Sequence, residues 1–441
     1  MDIDPHAIGI IQRLNESGYE ACLVGGCVRD VLRGEIPEDW DIATAATPDQ
    51  VHEALSDHTI IDVGIKHGTV AAYLDGRAFE ITTYRQEGVY LDSRRPSEVI
   101  FVKTIEEDLA RRDFTINAIA YHPSRGLIDP FGGAGDIRDH VLKAVGKPEE
   151  RLTEDALRIM RALRFSAVLG FTIDTSLSQA LHTTRNSLAH IAAERIRDEL
   201  TKLLIGRHVL SVLLEYPDVL SVPIPEIEPC VGFEQHSVYH CFDVWTHTAN
   251  AVACVKQDVL TRLALLFHDL GKPSTFSMDK NGAGHFYGHD KAGVAIAYDR
   301  LRALRFDNKT VELVTKLVNW HCPRLRMGDI PRWLNRLGEE GLRALIEVKR
   351  GDILAHSEIN KQERHDRMAE FEAALDEYMA AQPCFTRTEL TVNGHDLMEL
   401  GFTQGPQLGY LLETLLEQVM DGVLDNKREI LLDAARKYLM F

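Results

Sequence analysis

The apolar residues of this chain change period once, and that change limits its architecture more than any overall composition does. Up to about residue 145, short runs that read as strands and helices alternate with turns. From about 149 the spacing is helical for most of the remaining chain. In the first part, residues 5–17 are amphipathic and helical, 20–24 (EACLV) read as a strand, 27–34 as a helix and 39–43 as a strand. TPDQVHEAL (47–55) opens a helix, with Thr47 as N-cap and Pro48 at the first helical position. TVAAYLDGRAFEITTYR (69–85) reads as two strands about the turn Asp75-Gly76. These elements predict a compact α/β head over residues 1–145. Two stretches, SVPIPEIEPCVG (221–232) and QPCFTRTELTVNG (382–394), then interrupt the helical pattern. They divide the rest into helical segments over 146–225, 226–365 and 366–441.

Composition removes several classes. The 441 residues are 45% apolar and 26% charged, an ordinary globular balance. No apolar run reaches the roughly 18 residues that span a bilayer. The acidic start MDIDPHAIGIIQRL has no basic region before an apolar core. A cytoplasmic protein without a membrane partner is expected. The seven cysteines are scattered with no CxxC pair, which suggests neither a disulfide framework nor a zinc ribbon. A net charge of −18 counts against nucleic acid binding over the whole surface, so any RNA contact must use a local basic surface.

The stretch GGCVRDVLRGEIPEDWDIAT (25–44) carries the first chemistry. Residues i and i+2 of a strand share a face, so Asp39 and Asp41 are expected to project together and to need a cation between them. Paired carboxylates commonly hold Mg²⁺ and leave positions for water and phosphate. Gly25 and Gly26 let backbone N–H groups approach an anion, and Arg29 can fork onto a phosphate. Glu80, alternating with Phe79 and Ile81, offers a third carboxylate.

With these residues in view, the chain resembles the class II tRNA nucleotidyltransferases, the CCA-adding enzymes and their bacterial poly(A) polymerase relatives. GG-x-V-R-D followed by D-x-D is similar to the family's nucleotidyltransferase head. EEDLARRDFTINAIAY (106–121) resembles its ribose-sensing motif, IDPFGG (128–133) its hinge, EDALRIMRALRF (154–165) its base-selecting helix and AAERIRDEL (192–200) its last motif. The fold implied is an α/β, polymerase-beta-like nucleotidyltransferase head followed by mostly α-helical neck, body, HD and tail domains. The resemblance implies that Asp39 and Asp41 bind two catalytic Mg²⁺ ions, with Glu80 beside them. It places Gly25, Gly26, Arg29, Arg112 and Asp113 on the nucleotide. The implied activity is addition of C, C and A to the 3′ end of tRNA from CTP and ATP, with no DNA template.

Asp155 and Arg158, read as i and i+3 on one helix, suit base selection. Cytosine and adenine both present a ring acceptor beside an amino donor. An arginine can donate to the first while an aspartate accepts from the second. Uracil and guanine would leave both contacts unmade. The family uses the pair in this way, and it places Arg161 and Arg164 against the nucleotide as well. It also carries a loop, in CCA-adding members, where QEGVYLDSRRPSEV (86–99) stands here, with Arg94-Arg95-Pro96 matching.

The middle of the chain is rich in histidine. His247, His268-Asp269 and Asp352 resemble the H…HD…D pattern of HD phosphohydrolases, and two imidazoles with two carboxylates suit a divalent transition metal. His289 and His321 lie where binuclear members of that superfamily place extra ligands. A tail resemblance over 392–432 includes glycines at 401, 405 and 409 around Pro406, where a helix start could meet an RNA phosphate. The alternatives are an A-adding enzyme or poly(A) polymerase with the same chemistry, an HD phosphohydrolase whose head only binds RNA, and a non-catalytic RNA-binding protein.

Overall fold

The computed structural model describes residues 3–87 and 99–439. The chain forms two compact units, Met1–Glu228 and Pro229–Phe441. The matching motif Arg94-Arg95-Pro96 lies outside the described residues.

The first unit begins with a seven-stranded sheet. Five of its strands are β1 (Ala21–Val24), β2 (Asp41–Thr44), β3 (Thr59–Gly64), β4 (Thr69–Leu74) and β5 (Arg77–Thr83). The order is β3-β4-β5-β2-β1, then Ala120–His122 and Gly126–Ile128. β2 and β5 run parallel, while the other neighbours are antiparallel. All four residues of β1 are buried, as expected of a central strand covered on both faces. The β4–β5 hairpin turns at Asp75 and Gly76, both at positive φ (48° and 77°), the backbone that a two-residue turn between twisted strands requires. Gln50 accepts the Thr47 N–H at 2.9 Å and so closes the start of the helix Pro48–Ala54.

Two local expectations are corrected. The strand expected at 39–43 is Asp41–Thr44, so Asp39 precedes the sheet and the two aspartates do not share a strand face. Trp40 between them is buried, at 8% exposure, and anchors the approach to β2. The helix expected from residue 154 begins only at Leu157, because Asp155 is extended (φ −139°, ψ 104°) after the helix Pro148–Glu154. Its Oδ1 accepts the Leu157 N–H at 3.0 Å, and its carbonyl accepts the Arg158 N–H at 3.0 Å. A short acidic side chain that takes a backbone N–H this way competes with the helix and breaks it.

In the second unit, the helices Val244–Ala253, Val259–Phe267, His289–Ala303, Asn308–Trp320 and Ile330–Leu354 carry the histidine-rich sequence. The last of these bends at Gly338, whose φ is +69°. After the helix Lys361–Ala380, three shorter helices close over their own apolar core, which includes Leu397, Leu415 and Leu431. Among the described residues, no helix is long and apolar enough to cross a membrane.

Candidate active site and metal cluster

The parallel register sets Asp41 directly beside Glu80, so both carboxylates leave the same face at the edge where β2 begins. Burial pushes the Asp41 carboxyl above its usual range; the Glu80 charge adds to this, Arg112 offsets part of it, and Asp39 raises it again. Three carboxylates with one nearby guanidinium leave negative charge uncompensated, and oxygen donors of this kind fit a hard divalent cation. Cys27 secures the arrangement from behind: its thiol faces the carbonyls of Val24 (3.3 Å) and Asp41 (3.7 Å), tying the end of β1 to the start of β2.

The glycine turn is fixed by its neighbours. Gly25 has φ +73°, and a Cβ there would lie 2.7 Å from Arg112 Nη1. Arg112 in turn pairs with the buried Asp108 at 3.1 Å. Arg29 donates to Asn117 Oδ1 at 2.8 Å, and the Asn117 amide donates to Asp113 Oδ1 at 3.2 Å. Asp113 Oδ2 then accepts from Arg161 Nε at 2.7 Å. Burial opposes charge on Asp113, yet Arg161 overrides it and holds the carboxyl at about 2. Arg164 Nε lies 2.6 Å from Glu199 Oε2, and its guanidinium sits 4.1 Å from the centre of the Phe165 ring. A continuous polar network therefore runs from the glycine turn to the arginines of the helix Leu157–Leu169.

The expected pairing of Asp155 with Arg158 is not what the structure contains. Asp155 Oδ2 accepts from Arg195 at 2.9 Å. Arg158, buried at 6% exposure, donates to Glu154 Oε2 (2.7 Å) and to the carbonyls of Arg151 (3.0 Å) and Arg111 (3.2 Å). The helix break at Asp155 points the two side chains to different partners. Arg195 and Glu199 were not singled out by sequence reasoning. A signal existed: Glu199 falls on the apolar stripe of the helix Ala193–Leu204, among buried Ile196, Leu200 and Leu203, where a carboxylate needs a partner.

In the second unit, His247, His268, Asp269 and Asp352 bring one ligand atom each to within 4.8 Å of one another. His247 Nε2 is 3.0 Å from Asp352 Oδ1 and 3.4 Å from Asp269 Oδ2. His268 Nε2 is 3.1 Å from Asp269 Oδ2. Both imidazoles and Asp269 are buried, and among the described residues neither His268 Nε2 nor Asp269 Oδ2 finds a hydrogen-bond partner of good geometry. Burial disfavours a charged His268, but Asp269 and Asp352 override it and keep the proton on up to about 10. A cation in the proton's place satisfies the same carboxylates. Lys272 lies 2.7 Å from Asp269 Oδ2. A cavity of about 940 Å³ opens beside the cluster, lined in part by Lys272, Arg324, Arg326, Arg364 and Arg367.

The chain is similar to known proteins along its length. The family described as "Poly A polymerase head domain" matches residues 21–143, and "tRNA nucleotidyltransferase domain 2" matches 294–435. The CCA-adding enzyme of Levilactobacillus brevis is 35% identical over 426 residues, covering 96% of each chain. That of Geobacillus stearothermophilus is 36% identical over 429 residues, covering 96% of this chain and 94% of its own. The crystal structure of the Bacillus stearothermophilus CCA-adding enzyme in complex with CTP superposes with a TM-score of 0.75 at 30% identity, covering 99% of this chain and all of the other. The fold is also shared with a Thermotoga maritima CCA-adding enzyme complexed with tRNA, at 20% identity and a TM-score of 0.57. Identity of this extent over nearly the whole length, with the head and its polar network in place, means that the chain belongs to the family of CCA-adding enzymes.

Proposed function

We propose that this protein adds C, C and A to the 3′ end of tRNA, using CTP and ATP and no nucleic-acid template. The observation that carries the reading is the carboxylate set at the paired ends of β2 and β5, joined through the Arg29–Asn117–Asp113–Arg161 network to the base-selecting helix. Asp39 and Asp41 would hold the Mg²⁺ ions, which when bound activate the RNA 3′-hydroxyl and stabilise the departing pyrophosphate. Glu80 keeps the local charge negative. The Gly25 and Gly26 backbone together with Arg29 and Arg112 grips the triphosphate. Asp113 sets the position of Arg161, and Arg164 packs on Phe165 beside it.

Base choice follows from Asp155 and Arg158, each held by its own neighbour rather than by the other. Asp155 retains free lone pairs to accept from the cytosine or adenine amine while Arg195 holds it. Arg158 donates to the ring nitrogen, with Glu154 orienting its guanidinium. Uracil or guanine would leave a buried donor facing a donor. The finer division into head over 1–145, neck and body over 146–225, HD domain over 226–365 and tail over 366–441 belongs to this reading. So does an RNA contact at the start of the tail helix Pro406–Met420. The test is the Asp39→Ala/Asp41→Ala double variant, which is expected to lose nucleotide addition while keeping its fold. Retained addition would overturn the assignment.

A second reading applies to the second unit. The His247, His268, Asp269 and Asp352 cluster would hold a divalent transition metal, and the arginine-lined cavity beside it suits a phosphate ester. It supports a metal-dependent phosphatase or phosphodiesterase activity separate from addition. Asp352→Ala is expected to abolish hydrolysis of a phosphomonoester or a 2′,3′-cyclic phosphate and to spare addition.

A further inference from the structure

The sheet that carries the carboxylates has one covered face and, beyond Glu80, one open face. Burial alternates along β5: Phe79 and Ile81 are buried, while Ala78 and Glu80 are exposed. β4 continues the division, with Val70 and Ala72 in the core and Tyr73 exposed. Register carries the open face sideways from the site. Asp41 pairs with Glu80, Glu80 with Ala71, and Ala71 with Ile61 on β3. Residues paired across strands share a face, so this row runs from the carboxylates to the sheet edge. Tyr73 pairs with Ala78, two residues from the row, on the side where β2 begins. A solvated sheet face is ordinarily polar, yet Tyr73 is 42% exposed and Ile61 48% exposed on this one.

In-line transfer decides what such a surface can meet. The groups that grip the triphosphate, Gly25, Gly26, Arg29 and Arg112, gather at the end of β1, and β1 and β5 flank β2 on opposite sides. In an in-line displacement the attacking and leaving oxygens stand on opposite sides of the phosphorus. Pyrophosphate departs toward β1, so the attacking 3′-hydroxyl arrives from the β5 side, past Glu80. The nucleotide that carries it then lies over β5, β4 and β3. Tyr73 is diagonal to Glu80 across one strand, about 7–8 Å between backbones. One nucleotide covers that span between its 3′-oxygen and its base.

We propose that Tyr73, flanked by Ile61, is a stacking platform for the 3′-terminal base of the RNA acceptor. It rests on the nucleotide-addition reading. An aromatic ring stacks on any base, because every base has a π face, and Ile61 adds no hydrogen-bonding preference. That tolerance fits this acceptor, whose terminal base is first whatever precedes CCA, then C, then C again. Selection stays with Asp155 and Arg158 on the incoming nucleotide, while the platform takes each new end in turn.

The test compares wild type, Tyr73→Ala and Tyr73→Phe on tRNA transcripts ending before CCA, after C and after CC. Tyr73→Ala is expected to raise the KM for all three RNAs at least about fivefold and to leave the KM for CTP and ATP unchanged. Tyr73→Phe keeps the ring and should behave as wild type. Ile61→Asp, an exposed change on the edge strand, is expected to raise the same RNA KM. An unchanged RNA KM in Tyr73→Ala, a rise in the nucleotide KM instead, or a rise for only one of the three RNAs would overturn the platform and leave the addition reading intact. So would a loss that Tyr73→Phe shares. A wild-type protein that adds nothing to any transcript would overturn the addition reading and the platform together.

Discussion

Individual residues decide the chemistry, and several act through neighbours that a linear reading does not rank. Arg195 is the clearest example, since it alone among the described ion pairs holds the Asp155 carboxylate. Arg195→Ala is expected to lower kcat/KM for both CTP and ATP by roughly 10–100-fold, the scale for a misplaced recognition group. It should also reduce the preference for CTP over UTP, and Arg195→Lys should restore part of both. An unchanged preference ratio would show that Arg195 supports only the fold. Gly25 is constrained twice, by its positive φ and by the Arg112 guanidinium against it. Gly25→Ala is expected to cost about 1–3 kcal/mol in backbone conformation and to raise the KM for both nucleotides, measured by denaturant unfolding and steady-state kinetics. Cys27, which no chemistry claims, has its place in the hydrogen bonds that tie Asp41 to the end of β1.

At the scale of elements, the sequence disclosed the parts and misplaced their ends. Thr47-Pro48, Asp75-Gly76 and the apolar run of β1 carry local signals, and the helix, hairpin and central strand stand where those signals put them. β2 starts two residues later than the spacing predicts, because Trp40 is a buried anchor before the strand. The break at Asp155 is invisible in the spacing, because the apolar pattern of EDALRIMRALRF continues across it. Only the side-chain capping of Leu157 reveals the interruption. Long-range partners such as Asp113 with Arg161 cannot be seen from spacing at all, since 48 positions separate them. That pair yields a pH prediction. Asp113 is held at about 2 against an ordinary 3.8, so its contribution to stability is complete above about pH 4 and is lost as pH falls through about 2. The contribution is on the order of 2 kcal/mol at neutral pH. Asp113→Asn should therefore destabilise the first unit at pH 7, and the difference from wild type should shrink between pH 4 and pH 2 in thermal melts. A constant difference across that range would contradict the ion pair.

For the whole molecule, the acidic total and an RNA substrate are compatible only if binding is local. The logarithm of the affinity for tRNA should fall linearly with log salt concentration, with a slope near −0.7 to −0.9 for each phosphate contacted. A flat salt response would contradict a basic contact surface. The two units also predict separable chemistry, with the head carboxylates serving addition and the histidine cluster serving hydrolysis. The most direct measurement is the product map of purified protein on tRNA transcripts ending before CCA, after C and after CC, given CTP and ATP singly and together. Each transcript should be completed to CCA and no further, with CTP alone stopping at CC. Addition of A only to the CC-ended transcript, or growth of a long A tail, would contradict the account.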